Sequence, residues 1–189
     1  MPKFFVTQDK ISDNQIIIDS EDVTHISRVL RLEKGDNVTV CDGQGTDYDA
    51  QIDTIEPKKI LLNIVSRQKS ETEPNIKVTL FQALPKASKM EYIIQKTTEL
   101  GISEIVPVKL SRCVVKIDNK KDEKKKIDRW QKIAESAAKQ SGRGIVPIVS
   151  EFMTINEVID KSKEFDLFFV PYECEEQKTL KEILTSKSD

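Results

Sequence analysis

At 189 residues the chain has room for one large domain or two small ones. Apolar residues make up 38% of it and charged residues 33%, with 30 Lys and Arg against 32 Asp and Glu, so the core is lean and the net charge is −2. That balance excludes a protein basic on average, and no apolar run is long enough to cross a bilayer, but a local basic patch for phosphate groups stays open.

Met1-Pro2-Lys3-Phe4 lacks the hydrophobic core of a signal peptide. Cys41, Cys113 and Cys174 are far apart and odd in number, which suits free or buried thiols in a reducing cytoplasm better than disulfides or a zinc site. His25 is the one histidine, so a Ser-His-Asp triad or a histidine metal cage has almost nothing to draw on. We expect no metal, and a partly packed His25 on a short helix.

Residues 1–70 read as β-rich. Phe4-Phe5-Val6, Gln15–Ile18, Asp36–Cys41, Tyr48–Ile52 and Ile60–Val65 are short strands, with turns at Asp42-Gly43-Gln44-Gly45 and Glu56-Pro57-Lys58-Lys59. Strands and turns at this spacing predict a small barrel. One helix interrupts them. Ser20 is placed to cap it, Glu21 and Asp22 suit its first turn, and Val23, Ile26, Val29 and Leu30 form the inner stripe. Arg28 and Arg31 then face outward, either as a pair that contacts phosphates or as a solvated face. Residues 68–75 are polar, carry Pro74 and have no period, so they read as a linker to a second domain over 75–189.

Beyond the linker, strands alternate with helices. Val78–Phe81 predicts a strand, and Met90, Ile93, Ile94, Thr97 and Leu100 the inner face of a helix that Gly101 ends. Between them lies Gln82-Ala83-Leu84-Pro85-Lys86, a loop at the carboxyl edge of the sheet, where α/β proteins bind ligands. Ile105–Val108 is a second strand. Lys116–Lys126 reads as a solvated, lysine-rich connection. Ile127, Trp130, Ile133, Ala134 and Ala137 give a second helix closed by Ser141-Gly142, and Ile145–Val149 a third strand. Thr154–Glu157 matches a capping box that opens another helix. Leu167–Val170 suits a strand buried on both faces, ended by Pro171-Tyr172-Glu173, and Thr179–Leu184 a last helix. The series is α/β with a mostly parallel sheet. No Gly-x-Gly-x-x-Gly and no phosphate-binding P-loop follows any strand. Ser141-Gly142-Arg143-Gly144 reads as a helix cap and turn, or as a place where Arg143 meets a ligand.

In chain order, His25–Leu32, Gly35-Asp36, Asp42–Gly45, Gln82–Lys86, Lys89-Met90-Glu91, Ile94-Gln95-Lys96, Thr98–Gly101, Ser111-Arg112, Arg129-Trp130 and Gln140–Arg143 resemble successive motifs of one family. It is the RsmE-type 16S ribosomal RNA (uracil-N3)-methyltransferase family of the SPOUT class. The resemblance implies an N-terminal PUA-like β-barrel that binds RNA, followed by an α/β-knot methyltransferase domain, with S-adenosyl-L-methionine as cofactor. It implies a cytoplasmic homodimer acting on 16S rRNA or the small ribosomal subunit. On the same basis Arg143 and Arg112 are the catalytic candidates, stabilising charge on the uracil ring. Leu84, Pro171, Tyr172 and Glu173 are expected at the cofactor, and Arg28, Arg31, Lys86, Lys89 and Gln140 at RNA. The family's glycine-rich segment and its final Arg-Ile-Leu-Arg-type stretch, which form the knot and most of the cofactor pocket, do not occur in these 189 residues. The expectation is therefore a C-terminally truncated chain, missing its knot segment and inactive alone. A second reading keeps the barrel as a non-catalytic RNA-binding module with the α/β half as scaffold.

Overall fold

The computed structural model describes residues 2–86, 89–111, 113, 119–171, 174, 176 and 179–185. Five strands build the N-terminal sheet: β1 (Lys3–Phe5), β2 (Gln15–Ile18), β3 (Asn37–Cys41), β4 (Thr46–Ile55) and β5 (Ile60–Lys69), in the order β1-β3-β4-β5-β2. β1 runs parallel to β3 and the other pairs are antiparallel. Period-two alternation sends Ile16, Ile18, Val38, Val40, Ala50, Ile52, Ile60 and Leu62 into one core, with Phe4, Val23 and Ile26 packed among them. Register shifts at Asp49/Ala50 and Ile52/Thr54 mark bulges, which bend and twist the long β4–β5 pair. β1 and β2 form the two edges, so the expected barrel is an open one.

The helix expected after Ser20 is α1 (Asp22–Thr24), which widens into a π-turn over His25–Val29. Ser20 Oγ accepts the Asp22 N–H at 3.2 Å. Val23 and Ile26 are buried as predicted, but Val29 and Leu30 are 67% and 38% exposed. The π-turn bonds i to i+5, as Leu30 N–H to His25 C=O at 2.9 Å, so each residue advances less around the axis. Val29, its last residue, and Leu30, which follows it, are thereby carried off the inner stripe. His25 is exposed, with its ring edge-on to Phe4 at 6.2 Å.

In the second half, β6 (Thr79–Ala83), β7 (Glu104–Lys109), β8 (Ile148–Val149) and β9 (Met153–Thr154) are mutually parallel. β7 is central: β6 lies on one side, while β8 and β9 line the first and last parts of the other. The third strand, expected over 145–149, is thus short and broken. Ile145 instead makes an isolated bridge to Gln44, in the turn between β3 and β4, and Pro147 has no N–H for a ladder.

α2 (Lys89–Glu99) buries Met90, Ile94 and Thr98, an i, i+4, i+8 row. Leu100, expected inside, is 83% exposed because it lies off that row at the turn where Gly101 takes φ +99°. α3 (Lys120–Ser141) corrects a further expectation, since residues 120–126 are helical rather than a solvated loop. Asn119 caps it by accepting the Asp122 N–H at 2.8 Å, and Gly142 closes it at φ 71°. Trp130 and Ala134 of α3 join Leu84, Met90, Ile94, Ile102, Ile105 and Val149 in the second core.

Residues Met1–Ile155 form one compact unit and Asn156–Asp189 another. Past α4 (Ile155–Lys161) a 3-10 turn covers Ser162–Glu164. No strand forms over 167–170, contrary to expectation, and Phe168, Phe169 and Val170 are 38%, 40% and 76% exposed. An apolar run becomes an interior strand only with ladder partners and cover on both faces, and none of the described strands pairs with this run. α5 (Leu180–Thr185) opens with a reciprocal cap, Thr179 N–H to Glu182 and Glu182 N–H to Thr179 Oγ1.

Candidate functional site

β6 and β7 are in register to their ends, with Ala83 opposite Val108. The loops leaving the two strands therefore stand at one carboxyl edge. The Leu84 N–H reaches the Val108 carbonyl at 3.3 Å, extending the pairing by one step, and the Leu84 side chain is 8% exposed. Gln82 Nε2 holds the Ala83 carbonyl at 2.8 Å. Lys86 and Lys89 are exposed on either side of residues 87–88. Behind them Lys109 bonds Glu123 of α3 at 2.5 Å and lies 5.4 Å from the Phe152 ring centroid, which in turn meets Trp130 at 5.8 Å. At this edge buried Leu84 and half-buried Pro85 are thus followed in the chain by exposed cations. Of the other residues expected here, Arg112, Tyr172 and Glu173 lie outside the described residues, while Pro171 is exposed in the second unit.

Arg143 stands elsewhere, and it is 4% exposed. Its Nε–H and Nη2–H donate to the two oxygens of Glu73 at 3.3 and 2.5 Å. Its Nη1 donates to the carbonyls of Thr98 and Ile102 at 3.3 and 2.5 Å. Stabilising charge on a substrate needs donors free to face it, and these are taken up within the protein. Four of the five guanidinium N–H groups of Arg143 are thus engaged in positioning the protein itself.

What Arg143 positions is the junction between the two sheets. Glu73 also accepts the N–H groups of Gly144 and Ile145 at 2.7 and 3.0 Å. The Gly144 carbonyl accepts from Gly45 N–H at 2.9 Å and from the Cys41 thiol at 3.1 Å, and Val146 N–H donates to Gly43 at 3.0 Å. Gly144 is required here, because a Cβ would fall 2.1 Å from Ser70 Oγ. Lys139 bonds Asp22 at 2.5 Å across the junction, and Lys3, paired with Asp47 at 2.9 Å within the N-terminal sheet, also donates to the Gly142 carbonyl at 3.3 Å. Residues 70–73, read from the sequence as a linker, are thus clamped. Burial raises the Cys41 thiol, the dominant influence, to about 12. Burial also acts to raise the Glu73 carboxyl, but the bonds from Arg143, Ile145 and Gly144 outweigh it and hold Glu73 below its ordinary range.

The barrel arginines are both exposed. Arg31 has φ 53°, the left-handed region, and closes the π-turn as glycine commonly closes a helix. Leu32 N–H then bonds the Ile26 carbonyl at 3.0 Å. Gln140 is exposed next to Lys139, whose bond to Asp22 brings the end of α3 to the start of α1. Sequence reasoning missed Glu73 altogether. Nothing local separates it from Glu71, since its importance comes from Arg143, 70 positions on.

Comparison with known proteins sets this arrangement in context. A family model described as an RNA methyltransferase domain matches residues 72–189, and one described as an RNA methyltransferase PUA domain matches residues 18–65. Ribosomal RNA small subunit methyltransferase E of Bacillus subtilis is 35% identical over 176 residues, covering 92% of this chain and 68% of that protein. The protein of the same name from Synechocystis is 34% identical, covering 84% of this chain and 50% of that one. The crystal structure of a ribosomal RNA small subunit methyltransferase E from Neisseria gonorrhoeae, bound to S-adenosyl methionine, is similar with a TM-score of 0.72. It is 31% identical, and the match covers 85% of this chain and 65% of that one.

Proposed function

We propose, since this chain belongs to the RNA methyltransferase family of the ribosomal RNA small subunit methyltransferase E proteins, that it serves S-adenosyl-L-methionine-dependent methylation of N3 of a uridine in 16S ribosomal RNA. It does so as a cytoplasmic homodimer. The observation that carries this reading is the ordered match of an RNA methyltransferase PUA model to the N-terminal sheet and an RNA methyltransferase model to the parallel sheet.

When bound, the cofactor supplies a methyl group on a positively charged sulfur. What the protein adds is alignment and exclusion of water, which in favourable cases lowers a barrier by roughly 7–11 kcal/mol. The described part of the edge suits such a guest in chemical type: half-buried Pro85 offers apolar surface next to core residue Leu84, beside backbone groups at a sheet terminus. Uracil N3 carries a proton that must leave before the nitrogen attacks, and a cation against O2 or O4 stabilises the resulting charge. We assign that role to Arg112, which comes after the end of β7 in the chain, since the Arg143 donors are engaged within the junction. Methylation that survives Arg112→Ala would remove the assignment. Arg28, Arg31, Lys86, Lys89 and Gln140 contact the RNA, chiefly its phosphates.

The test is transfer of label from radiolabelled S-adenosylmethionine to 16S ribosomal RNA by a protein of the relatives' full length. The product nucleoside is identified by mass spectrometry. 3-Methyluridine is expected at one position, and absence of label, or a methylated ribose, sinks the reading. The 189-residue chain spans 68% of its Bacillus relative and is expected to bind the RNA without labelling it.

A further inference from the structure

The lysine run at the start of α3 has no part in the chemistry proposed for the sheet edge. α3 begins Lys120-Lys121-Asp122-Glu123-Lys124-Lys125-Lys126, five cations against two carboxylates in a chain whose net charge is −2. Both carboxylates are engaged locally, Asp122 by Asn119 and Glu123 by Lys109. Lys120, Lys121, Lys124 and Lys125 are exposed, and none of them forms an ion pair among the described residues. Their location does not favour the helix, because cations in a first turn oppose its dipole. At 100° per residue Lys121 and Lys125 fall opposite Trp130, Ala134 and Ala137, which face the core, with Lys124 on the flank, while Lys120 is exposed at the first residue of the helix, in line with the inner stripe.

The fold takes this lysine face to the carboxyl edge of the parallel sheet. The Lys109–Glu123 bond ties the first turn of α3 to the last residue of β7. Farther along α3, Arg129 bonds Glu91 in the first turn of α2 at 2.6 Å. These two ion pairs join the N-terminal half of α3 to the end of β7 and to the start of α2. The first turn of α3 is thus held at the end of β7, the strand paired with β6, whose exit loop carries exposed Lys86 and leads to Lys89.

We propose that Lys120, Lys121, Lys124 and Lys125 form a second RNA-backbone site, separate from the Arg28–Arg31 pair of the barrel, which holds the strand against the methyl-transfer edge. This rests on the reading of the protein as an RNA methyltransferase. The ligand is a run of RNA phosphates, which lysines meet as point charges without reading sequence.

The experiment measures binding of a 16S ribosomal RNA transcript to the 189-residue chain across a salt series. It compares the wild type with a variant carrying Lys→Gln at 120, 121, 124 and 125 and with the corresponding Lys→Arg variant. Glutamine matches lysine in helix propensity, so helicity by circular dichroism should be unchanged. The Gln variant is expected to bind at least about tenfold more weakly, with a log–log salt slope shallower by about 2 or more, and the Arg variant to bind like the wild type. Equal affinity and slope for wild type and Gln variant overturn the second site while leaving the RNA-methyltransferase reading intact. A wild type that binds no RNA at low salt overturns that reading itself.

Discussion

Glu73 accepts bonds from Arg143 and from two backbone N–H groups while 11% exposed, opposite a guanidinium that is 4% exposed. A buried pair of this kind contributes little over an apolar substitute, yet removing one partner leaves an uncompensated charge inside and costs about 3–5 kcal/mol. Glu73→Ala is expected in that range by urea denaturation. The pH dependence comes from the lowered Glu73 pKa. A carboxyl depressed in the folded state stabilises it above the unfolded value near 4.5 and loses that contribution as pH falls through the folded value. Wild type should therefore lose stability below about pH 4.5 more steeply than Glu73→Gln, with the gap between them closing in acid. Parallel stability–pH curves would exclude this role for Glu73.

The π-turn sets what the barrel helix displays. By widening after Thr24 it leaves Val29 and Leu30 in solvent and brings the chain to Arg31 in a left-handed conformation. Such a conformation costs an L-residue about 1–2 kcal/mol, so an arginine kept there stands where glycine would suit the backbone better. Arg31→Gly is expected to leave stability unchanged or raise it by up to about 1 kcal/mol. It should also weaken RNA binding, with a salt slope shallower by about 1. A stability loss together with unchanged RNA affinity would mean that the arginine serves the fold. α3 shows a related division of labour, since one helix has an apolar stripe in the core, a lysine face at the sheet edge and Lys139 on Asp22 of the barrel helix. Its 22 residues, about 33 Å, span the distance between the two proposed phosphate-contacting regions.

Across the first unit, the loop after α3 and the end of β5 hold the two sheets together. Cys41 reports on this junction, because its thiol donates to the Gly144 carbonyl and is buried. With Cys113→Ser and Cys174→Ser as background, Cys41 should react slowly with a thiol reagent, since burial holds it protonated at about 12. Adding Gly144→Ala forces a Cβ against Ser70 and should speed that reaction at least about tenfold. Trp130 fluorescence, from the parallel-sheet core, should stay unchanged. Labelling that does not accelerate, or accelerates only as Trp130 fluorescence is lost, would mean that the sheets do not part separately from global unfolding.

Much of the architecture is legible in the chain because it rests on local periodicity. The isoleucine run marked β2 to its exact residues, alternation marked β3 to within one, and the stripe of Trp130, Ala134 and Ala137 marked α3, while Gly142 marked its end. The ordered motifs sufficed to identify the family. Only the tertiary structure decided where Leu100 points, that 167–170 forms no strand, and that Arg143 faces Glu73 inside a junction. The physical reason is the range of the interaction. A period is written in neighbours three or four residues apart, whereas burial of a charge or pairing of a strand depends on partners tens of residues away, and nothing at the position itself announces them.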